Sequence, residues 1–232
     1  MNYQRVAENV RGELTAYITR WGLKSLVCGI SGGIDSCLCV ALARPVCDRL
    51  GIRLIGRSIT ILTNKQDEIN RAKLVGKAFC TDFEEEDLSD LYAEFANYLD
   101  IKPEIYGDKV RSGNIKARCR MIRLFDLAQV NQGMVLSTDN LTELYLGFWT
   151  LHGDVGNYGM IQNLWKMEVY EMAKFLADQS DVLEEKEALM RCVEATPTDG
   201  LGISNSDLDQ LGADSYAEVD RILKIWLNKE PS

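Results

Sequence analysis

The chain has 232 residues, 46% of them hydrophobic, with a formal net charge of −9 and a pI of about 4.8. Its length and apolar content suffice for one α/β core, and no linker-like tract divides it, so we expect a single domain over 1–232. The acidic balance lacks the basic footprint of a nucleic-acid-binding protein, and no apolar run reaches the roughly 18 residues of a membrane span. We therefore expect a cytoplasmic protein whose partners include neither nucleic acid nor membrane.

Apolar periodicity predicts strands and helices in alternation. The first strand is short, apolar and ends in glycines, as is typical of a buried parallel strand. Pro45 is expected to kink or end the helix that contains it, and Asn64 is a candidate N-cap. The elements in chain order are helix 3–20, strand 24–30, helix 37–50, strand 52–62, helix 64–79, helix 85–100, a turn-like segment 103–113, a basic amphipathic helix 114–131, strand 133–138, helix 139–148, a glycine-rich loop 153–159, and helices 166–179 and 215–228.

This order predicts an α/β fold, a doubly wound parallel sheet with helices on both faces. Ligands of such sheets bind beyond the carboxyl ends of the strands. The basic helix is open to two interpretations, a solvated face or a local anion-binding patch. The seven cysteines form no CxxC pair and mostly have apolar neighbours, so we expect reduced core thiols.

The most specific motif is GISGGIDS, which joins the first strand to the following helix. Gly32 and Gly33 permit backbone geometries in which amides converge on an anion, and the helix adds its N-terminal dipole. The two serines supply hydroxyl donors. Asp35 would repel a bare phosphate, but it is well suited to hold a divalent cation that bridges to the phosphates. The motif therefore predicts a site for a metal-bound polyphosphate.

The pattern S-G-G-x-D-S resembles the pyrophosphate loop of the N-type ATP pyrophosphatases, which cleave ATP between its α and β phosphates. Further segments resemble motifs of one family in that class, the ammonia-dependent NAD synthetases: GNIKARCRM (113–121), STDNLTELYLGFWTLHGD (137–154), PTDGLG (197–202) and DQLGADSYAEVDRIL (209–223). The resemblance runs from about residue 5 to 225. It implies the adenine nucleotide alpha hydrolase-like fold.

The resemblance also implies roles for individual residues. The ATP-binding residues would be Gly29, Ile30, Ser31, Gly32, Gly33, Ile34, Asp35, Ser36, Gln66, Thr138, Lys166 and Thr198. Asp35 and Glu143 would hold magnesium, and these two acids with Lys166 would form the catalytic set. Arg118 and Asn157 would contact the acceptor substrate.

Departures from the family pattern lie on the acceptor side. Leu151 stands where the family usually has a lysine, the loop after Asp154 is shorter, and the C-terminal His-Lys pair that contacts the substrate is absent. The residues implied for ATP binding are intact. The sequence therefore predicts the ATP half of the reaction more directly than the identity of the acceptor.

The implied activity is ATP- and Mg²⁺-dependent amidation of deamido-NAD to NAD through an adenylate, with ammonia as nitrogen donor and AMP and pyrophosphate as products. Positioning and charge neutralisation would carry the catalysis. The chain has no room for a glutaminase module, so ammonia would be free or come from a separate protein. The resemblance further implies a homodimer. Two alternatives remain: a related pyrophosphatase acting on another carboxylate, and a non-catalytic nucleotide-binding module.

Overall fold

The computed structural model of this protein describes residues 1–62, 64–102, 104–198 and 206–228. The strands are β1 (Ser25–Gly29), β2 (Arg53–Thr60), β3 (Asp82–Asp87), β4 (Gly133–Ser137) and β5 (Tyr158–Gly159). The helices are α1 (Tyr3–Trp21), α2 (Ile34–Leu50), α3 (Gln66–Phe79), α4 (Ser89–Tyr98), α5 (Tyr106–Val130), α6 (Leu141–Leu146), α7 (Lys166–Gln179), α8 (Leu183–Val193), α9 (Asp207–Leu211) and α10 (Tyr216–Leu227). Within these ranges, no helix is long and apolar enough to cross a membrane.

The five strands form one parallel sheet in the order β3-β2-β1-β4-β5. Successive side chains of a strand point to opposite faces, and both faces are covered here. Leu26 and Cys28 join the larger core, built with α1, α2, α3, α7 and α8, whereas Val27 joins a second core beneath α5. This confirms the predicted doubly wound sheet. The order reverses at β1, so the crevice at the ends of β1 and β4 is the expected ligand site.

Helix α2 runs through Pro45 without ending, so the prediction that proline ends the helix early is wrong. Proline removes the N–H that would bond the carbonyl four residues earlier, Ala41. Arg11 of α1 replaces it, because its guanidinium donates to the carbonyls of Ala41 at 3.5 Å and Leu42 at 3.3 Å. The helix also begins at Ile34, earlier than predicted, so the end of the glycine motif is its first turn.

The predicted helix over 85–100 is wrong in its first part. The acidic segment DFEEED is strand β3, at the edge of the sheet, and α4 begins only at Ser89. Glu86 accepts ion pairs from Arg57 at 3.1 Å and from Arg123 at 2.8 Å, and Lys73 pairs with Glu85 at 2.8 Å. These cations come from distant parts of the chain, and their charge lets an acidic segment join a sheet.

Two smaller predictions are also corrected. The N-cap of α3 is Lys65, whereas the Asn64 side chain accepts from the Ile61 amide at 2.9 Å and from Arg120 at 3.0 Å. The segment 103–113, predicted as turn-like, belongs largely to α5, which begins at Tyr106. All seven cysteines are free thiols, and six of them are buried, as their apolar neighbours predict.

Candidate active site

A cavity of about 420 Å³ lies at the carboxyl ends of β1, β2 and β4. The glycine motif borders it after β1, and Thr138 enters it directly after β4. The residues predicted to bind ATP or metal that line this cavity are Gly29, Ile30, Ser31, Gly33, Ile34, Asp35, Ser36, Thr138, Glu143, Lys166 and Thr198. The structure thus brings together residues that lie up to 169 positions apart, from Gly29 to Thr198.

The glycine motif closes into a compact turn through its two serines. The hydroxyls of Ser31 and Ser36 lie 3.1 Å apart, Ser31 Oγ accepts from the Gly33 amide at 3.2 Å, and Ser36 Oγ accepts from the Ser31 amide at 3.3 Å. Gly33 is the N-cap of α2, with no side chain to occupy the first amides of the helix. Because α2 has 17 residues, those amides present a full helix dipole to the cavity.

Gly32 is the residue on which this turn depends. Its φ of +82° lies in the left-handed region, and a Cβ there would stand 2.3 Å from the backbone oxygen of Glu68. Its carbonyl accepts from Arg71 at 3.0 Å and from the Cys192 thiol at 3.5 Å. Helices α3 and α8 therefore contact the loop at Gly32, and their side chains satisfy its carbonyl.

Three predicted catalytic groups meet at the cavity wall. Lys166 Nζ lies 2.5 Å from Asp35 Oδ2 and 3.2 Å from Glu143 Oε1. Asp35 comes from the first turn of α2, Glu143 from the first turn of α6, and Lys166 begins α7. Three helix N-termini thus converge on one lysine and two carboxylates, an arrangement suited to a highly charged anion with its counter-ion.

The electrostatics of this cluster follow from burial. Desolvation raises the pKa of Glu143 to about 7; the Asp35 charge adds to this, and Lys166 opposes it. Burial also disfavours the charge on Lys166, whose side chain is 3% exposed, but the two carboxylates outweigh this effect and hold its pKa well above the ordinary value. The lysine is therefore a permanent cation, and Glu143 is poised to change charge near neutral pH.

The cluster suits a divalent cation. The two carboxylates already converge on one positive group, because the ammonium of Lys166 lies 2.5 Å from Asp35 Oδ2 and 3.2 Å from Glu143 Oε1. Among the described residues, no group of three or more His, Cys, Asp or Glu side chains could hold a metal. A bound ion would therefore have two carboxylates at most and would take its remaining ligands from phosphates and water, as Mg²⁺ prefers.

Asn140 is a member of the cluster that the sequence analysis missed. It is fully buried, and its side-chain N–H donates to Asp35 Oδ1 at 2.9 Å while its Oδ1 accepts from the Glu143 amide at 3.0 Å. It therefore sets the orientation of one acid and the position of the other. Asn140 lies inside the STDNLTE segment, two residues after Thr138, and this position was the sequence feature that could have indicated its role.

Two predicted nucleotide contacts have different surroundings. Thr198 Oγ1 donates to the buried Glu68 carboxylate at 2.8 Å, at the cavity edge. Gln66 lies outside the cavity lining, and its side-chain amide donates to Asn70 at 3.0 Å on the same face of α3. The role of Gln66 stays a prediction that its position does not support.

The two predicted acceptor contacts lie apart from the first cavity. Asn157 lines a second cavity of about 650 Å³ that also contains Leu151, and its side-chain oxygen accepts from the Val135 amide at 2.9 Å. Arg118 donates to the Leu151 carbonyl at 3.3 Å, so it stands beside this cavity. The two cavities share Asp139 and Trp149 as a common wall.

The basic helix face does not survive as one patch. Lys116 is buried, Arg120 bonds the Ile59 carbonyl at 3.0 Å, and Arg123 pairs with Glu86.

A second polar residue that the sequence analysis missed also lines the first cavity. There Asp154 accepts from the Thr150 amide with both oxygens at 3.0 Å, and desolvation raises its pKa to about 6.

The parallel sheet and its order define an α/β protein with the adenine nucleotide alpha hydrolase-like fold. The family described as NAD synthase matches residues 6–232. The chain is 32% identical over 224 residues to the NH3-dependent NAD+ synthetase of Finegoldia magna (96% of this chain, 85% of that protein) and 33% identical over 207 residues to that of Thermoplasma acidophilum (89% and 78%).

Among solved structures, the NMN synthetase of Francisella tularensis superposes with a TM-score of 0.82 at 24% identity, covering 100% of this chain and 89% of that one. This likeness establishes the fold. The sequence relatives and the family match establish more: the chain belongs to the NAD synthase family, a family of ligases that use ATP. The resemblance found in the sequence is thereby confirmed.

Proposed function

We propose that this protein amidates deamido-NAD to NAD, using ATP and ammonia and releasing AMP and pyrophosphate. The observation that carries the proposal is that Asp35, Glu143 and Lys166 contact one another in the cavity that the glycine turn also lines. Two relatives, of whose own length this chain covers 78–85%, are NH3-dependent NAD+ synthetases. Their activity supports the same reaction for this protein.

In this proposal the triphosphate lies over the N-terminus of α2. The amides of the glycine turn and the hydroxyls of Ser31 and Ser36 receive the β and γ phosphates, while Thr138 and Thr198 flank the nucleotide. Asp35 and Glu143 would hold Mg²⁺, which supplies charge neutralisation for the phosphates when bound. Lys166 adds a fixed positive charge on the same side, where pyrophosphate departs.

The acceptor carboxylate would attack the α phosphorus, forming an acyl adenylate and pyrophosphate. Ammonia would then attack the adenylate carbonyl, and AMP would leave. The chain's contribution is to orient the two substrates, exclude water and stabilise the leaving groups, so no side-chain nucleophile is required. Asp139 and Trp149 form the wall shared by the two cavities, and we assign the acceptor to that junction, with Arg118 and Asn157 beside it.

A second candidate acceptor is the corresponding mononucleotide, nicotinate mononucleotide. None of the described residues that line the second cavity carries a positive charge; they include the acids Glu13 and Asp139, with Leu151 at the position of the usual lysine. Such a lining disfavours the additional phosphate that a dinucleotide acceptor carries and a mononucleotide acceptor lacks. The Francisella tularensis NMN synthetase has the same fold.

We further propose a cytoplasmic homodimer that takes ammonia from solution or from a separate ammonia-supplying protein. Sedimentation would test the dimer. Ammonium salts added to the purified protein would test whether free ammonia suffices, and product formation that requires glutamine together with a second protein would instead favour delivery by a partner.

The direct test is incubation with ATP, Mg²⁺, ammonium and either deamido-NAD or nicotinate mononucleotide, followed by chromatography of AMP and the amidated product. We expect deamido-NAD to give a kcat/KM at least tenfold above that of nicotinate mononucleotide, and the reverse order would favour the second candidate. Asp35→Ala should abolish AMP formation, and Arg118→Ala should raise mainly the KM of the acceptor. If neither acceptor yields AMP, the amidation of a nicotinate nucleotide is wrong.

A further inference from the structure

The N-terminus of α7 is held by two other helices. Trp165, its N-cap, makes no side-chain cap bond with a described residue. The amide of Lys166 donates to Thr142 Oγ1 of α6 at 2.8 Å, and the amide of Met167 donates to Asp220 Oδ2 of α10 at 3.0 Å. The first turn of a helix normally takes such bonds from its own N-cap region or from water. Here they come from residues 24 and 53 positions away.

The two capping residues are themselves joined. Thr142 Oγ1 donates to Asp220 Oδ1 at 2.6 Å, so one threonine hydroxyl accepts from α7 and donates to α10. Thr142 is fully buried and Asp220 is 3% exposed. A buried carboxylate is costly unless its oxygens accept hydrogen bonds, and both oxygens of Asp220 do so. The pair is thus a closed, desolvated link between three helices.

The link ends on the charged cluster. Thr142 immediately precedes Glu143, and the amide it caps belongs to Lys166 itself. The Tyr216 ring, on the same helix as Asp220, lies 5.2 Å from Lys166 Nζ. The separation of Glu143 and Lys166 therefore depends on how α6 and α7 are tied together, and Thr142 with Asp220 forms that tie.

We propose that Thr142 and Asp220 are positioning residues for the phosphate and metal site, acting through Glu143 and Lys166 without touching substrate. The proposal rests on the function proposed above. A displacement of about 1 Å in a catalytic group can cost about 100-fold in rate, and loss of the tie would allow a shift of that order between α6 and α7. Neither residue was singled out from the sequence, although Asp220 lies in the DQLGADSYAEVDRIL segment.

The test compares Thr142→Val, which keeps the shape of the side chain and removes the hydroxyl, with Thr142→Ser, which keeps the hydroxyl. Asp220→Asn removes the charge, and Glu218→Gln is the matched control on the same helix. We expect Thr142→Val and Asp220→Asn to lower kcat for AMP formation at least tenfold, with the KM of the acceptor changed less than threefold. Thr142→Ser and Glu218→Gln should stay within twofold of the wild type.

A second readout separates positioning from general destabilisation. Calorimetry gives the Kd of a non-hydrolysable ATP analogue with and without Mg²⁺, well below the unfolding temperature. The factor by which Mg²⁺ tightens binding should fall at least fivefold in Thr142→Val and Asp220→Asn, and the double variant should lose no more than either single variant. A lowered Tm alone would leave this ratio unchanged.

The proposal is overturned if both variants unfold earlier yet keep the wild-type kcat and Mg²⁺ ratio, or if Thr142→Ser is as impaired as Thr142→Val. A wild-type protein whose ATP binding is insensitive to Mg²⁺ would also overturn it. Failure of the proposed function is a separate result: the wild type would form no AMP with either acceptor, while the binding ratio would still report on the tie.

Discussion

Replacement of Gly32 by alanine tests the architecture of the phosphate turn. The residue has φ +82°, and its added Cβ would lie 2.3 Å from the Glu68 carbonyl oxygen and 3.0 Å from the Ala72 amide nitrogen. Both are backbone atoms inside α3, so no side-chain rotation can relieve the contact. Either the turn must abandon its left-handed residue or α3 must move away from it.

The expected magnitude follows from these two costs. The left-handed conformation costs a residue with a Cβ about 1–2 kcal/mol, and forcing extra volume into a packed site costs about 1–3 kcal/mol. We expect Gly32→Ala to lose about 3 kcal/mol of unfolding free energy, or roughly 10 °C in Tm for a chain of this size. Binding of an ATP analogue should weaken by more than tenfold, because the amides no longer converge.

Gly12→Ala is the matched control. Gly12 lies within α1, and no described atom outside its own helix backbone would approach an added Cβ within 4 Å. Alanine is the better helix former by about 1 kcal/mol, so this variant should be slightly more stable than the wild type. Urea titration followed by circular dichroism measures both. A Gly32→Ala protein that unfolds within 1 kcal/mol of the wild type would refute the reasoning about the turn.

Three further outcomes are expected from denaturant titrations. Lys166→Met should cost about 3 kcal/mol at pH 8 and less at pH 6, because Glu143, with a pKa of about 7, can then be neutral; an equal loss at both pH values would contradict the ion-pair account. Asp154 binds a proton more tightly when folded, since burial raises its pKa from 3.8 to about 6, which corresponds to about 3 kcal/mol. That stability is present below pH 3.8 and lost as pH rises through 6, so Asp154→Asn should remove this part of the pH dependence, and parallel wild-type and variant curves would disprove it. Arg11→Ala should cost about 1–2 kcal/mol because the Ala41 carbonyl, which Pro45 frees, and the Leu42 carbonyl lose this donor, whereas Arg5→Ala on the exposed face of α1 should stay within 0.5 kcal/mol; equal effects would show that Arg11 does not support the proline.

The local parts of the site were predictable from sequence. Gly32 needs a residue without a Cβ, and the amides of α2 follow directly in the chain, so the motif and its geometry occupy one short segment. Thr138 ends the predicted strand 133–138, Glu143 lies in the first turn of the helix that follows, and both line the cavity. The alternation of strand and helix predicted the parallel sheet because periodicity is also a local property.

Other features depended on contacts that no local pattern contains. The acidic sequence of β3 is typical of the first turn of a helix. It forms a strand because cations from β2, α3 and α5 pair with its acids, which only the structure shows. Pro45 is typical of a helix end, and only the structure shows that Arg11 bonds the Ala41 carbonyl that this proline frees. In both cases the deciding partner lies more than ten positions away and is chosen by packing.

The sequence by itself therefore determined the three inner strands of the sheet (β2, β1 and β4), the phosphate turn and the residue types of the charged cluster, because each is encoded within a few neighbouring positions. Only the tertiary structure decided which of these residues meet. Lys166 reaches Asp35 across 131 positions and Asp220 reaches Thr142 across 78. Such pairings arise because α2 and α7 pack into the larger core and α6 packs against α7 and α10, and it is this packing that brings the N-termini of α2, α6 and α7 together.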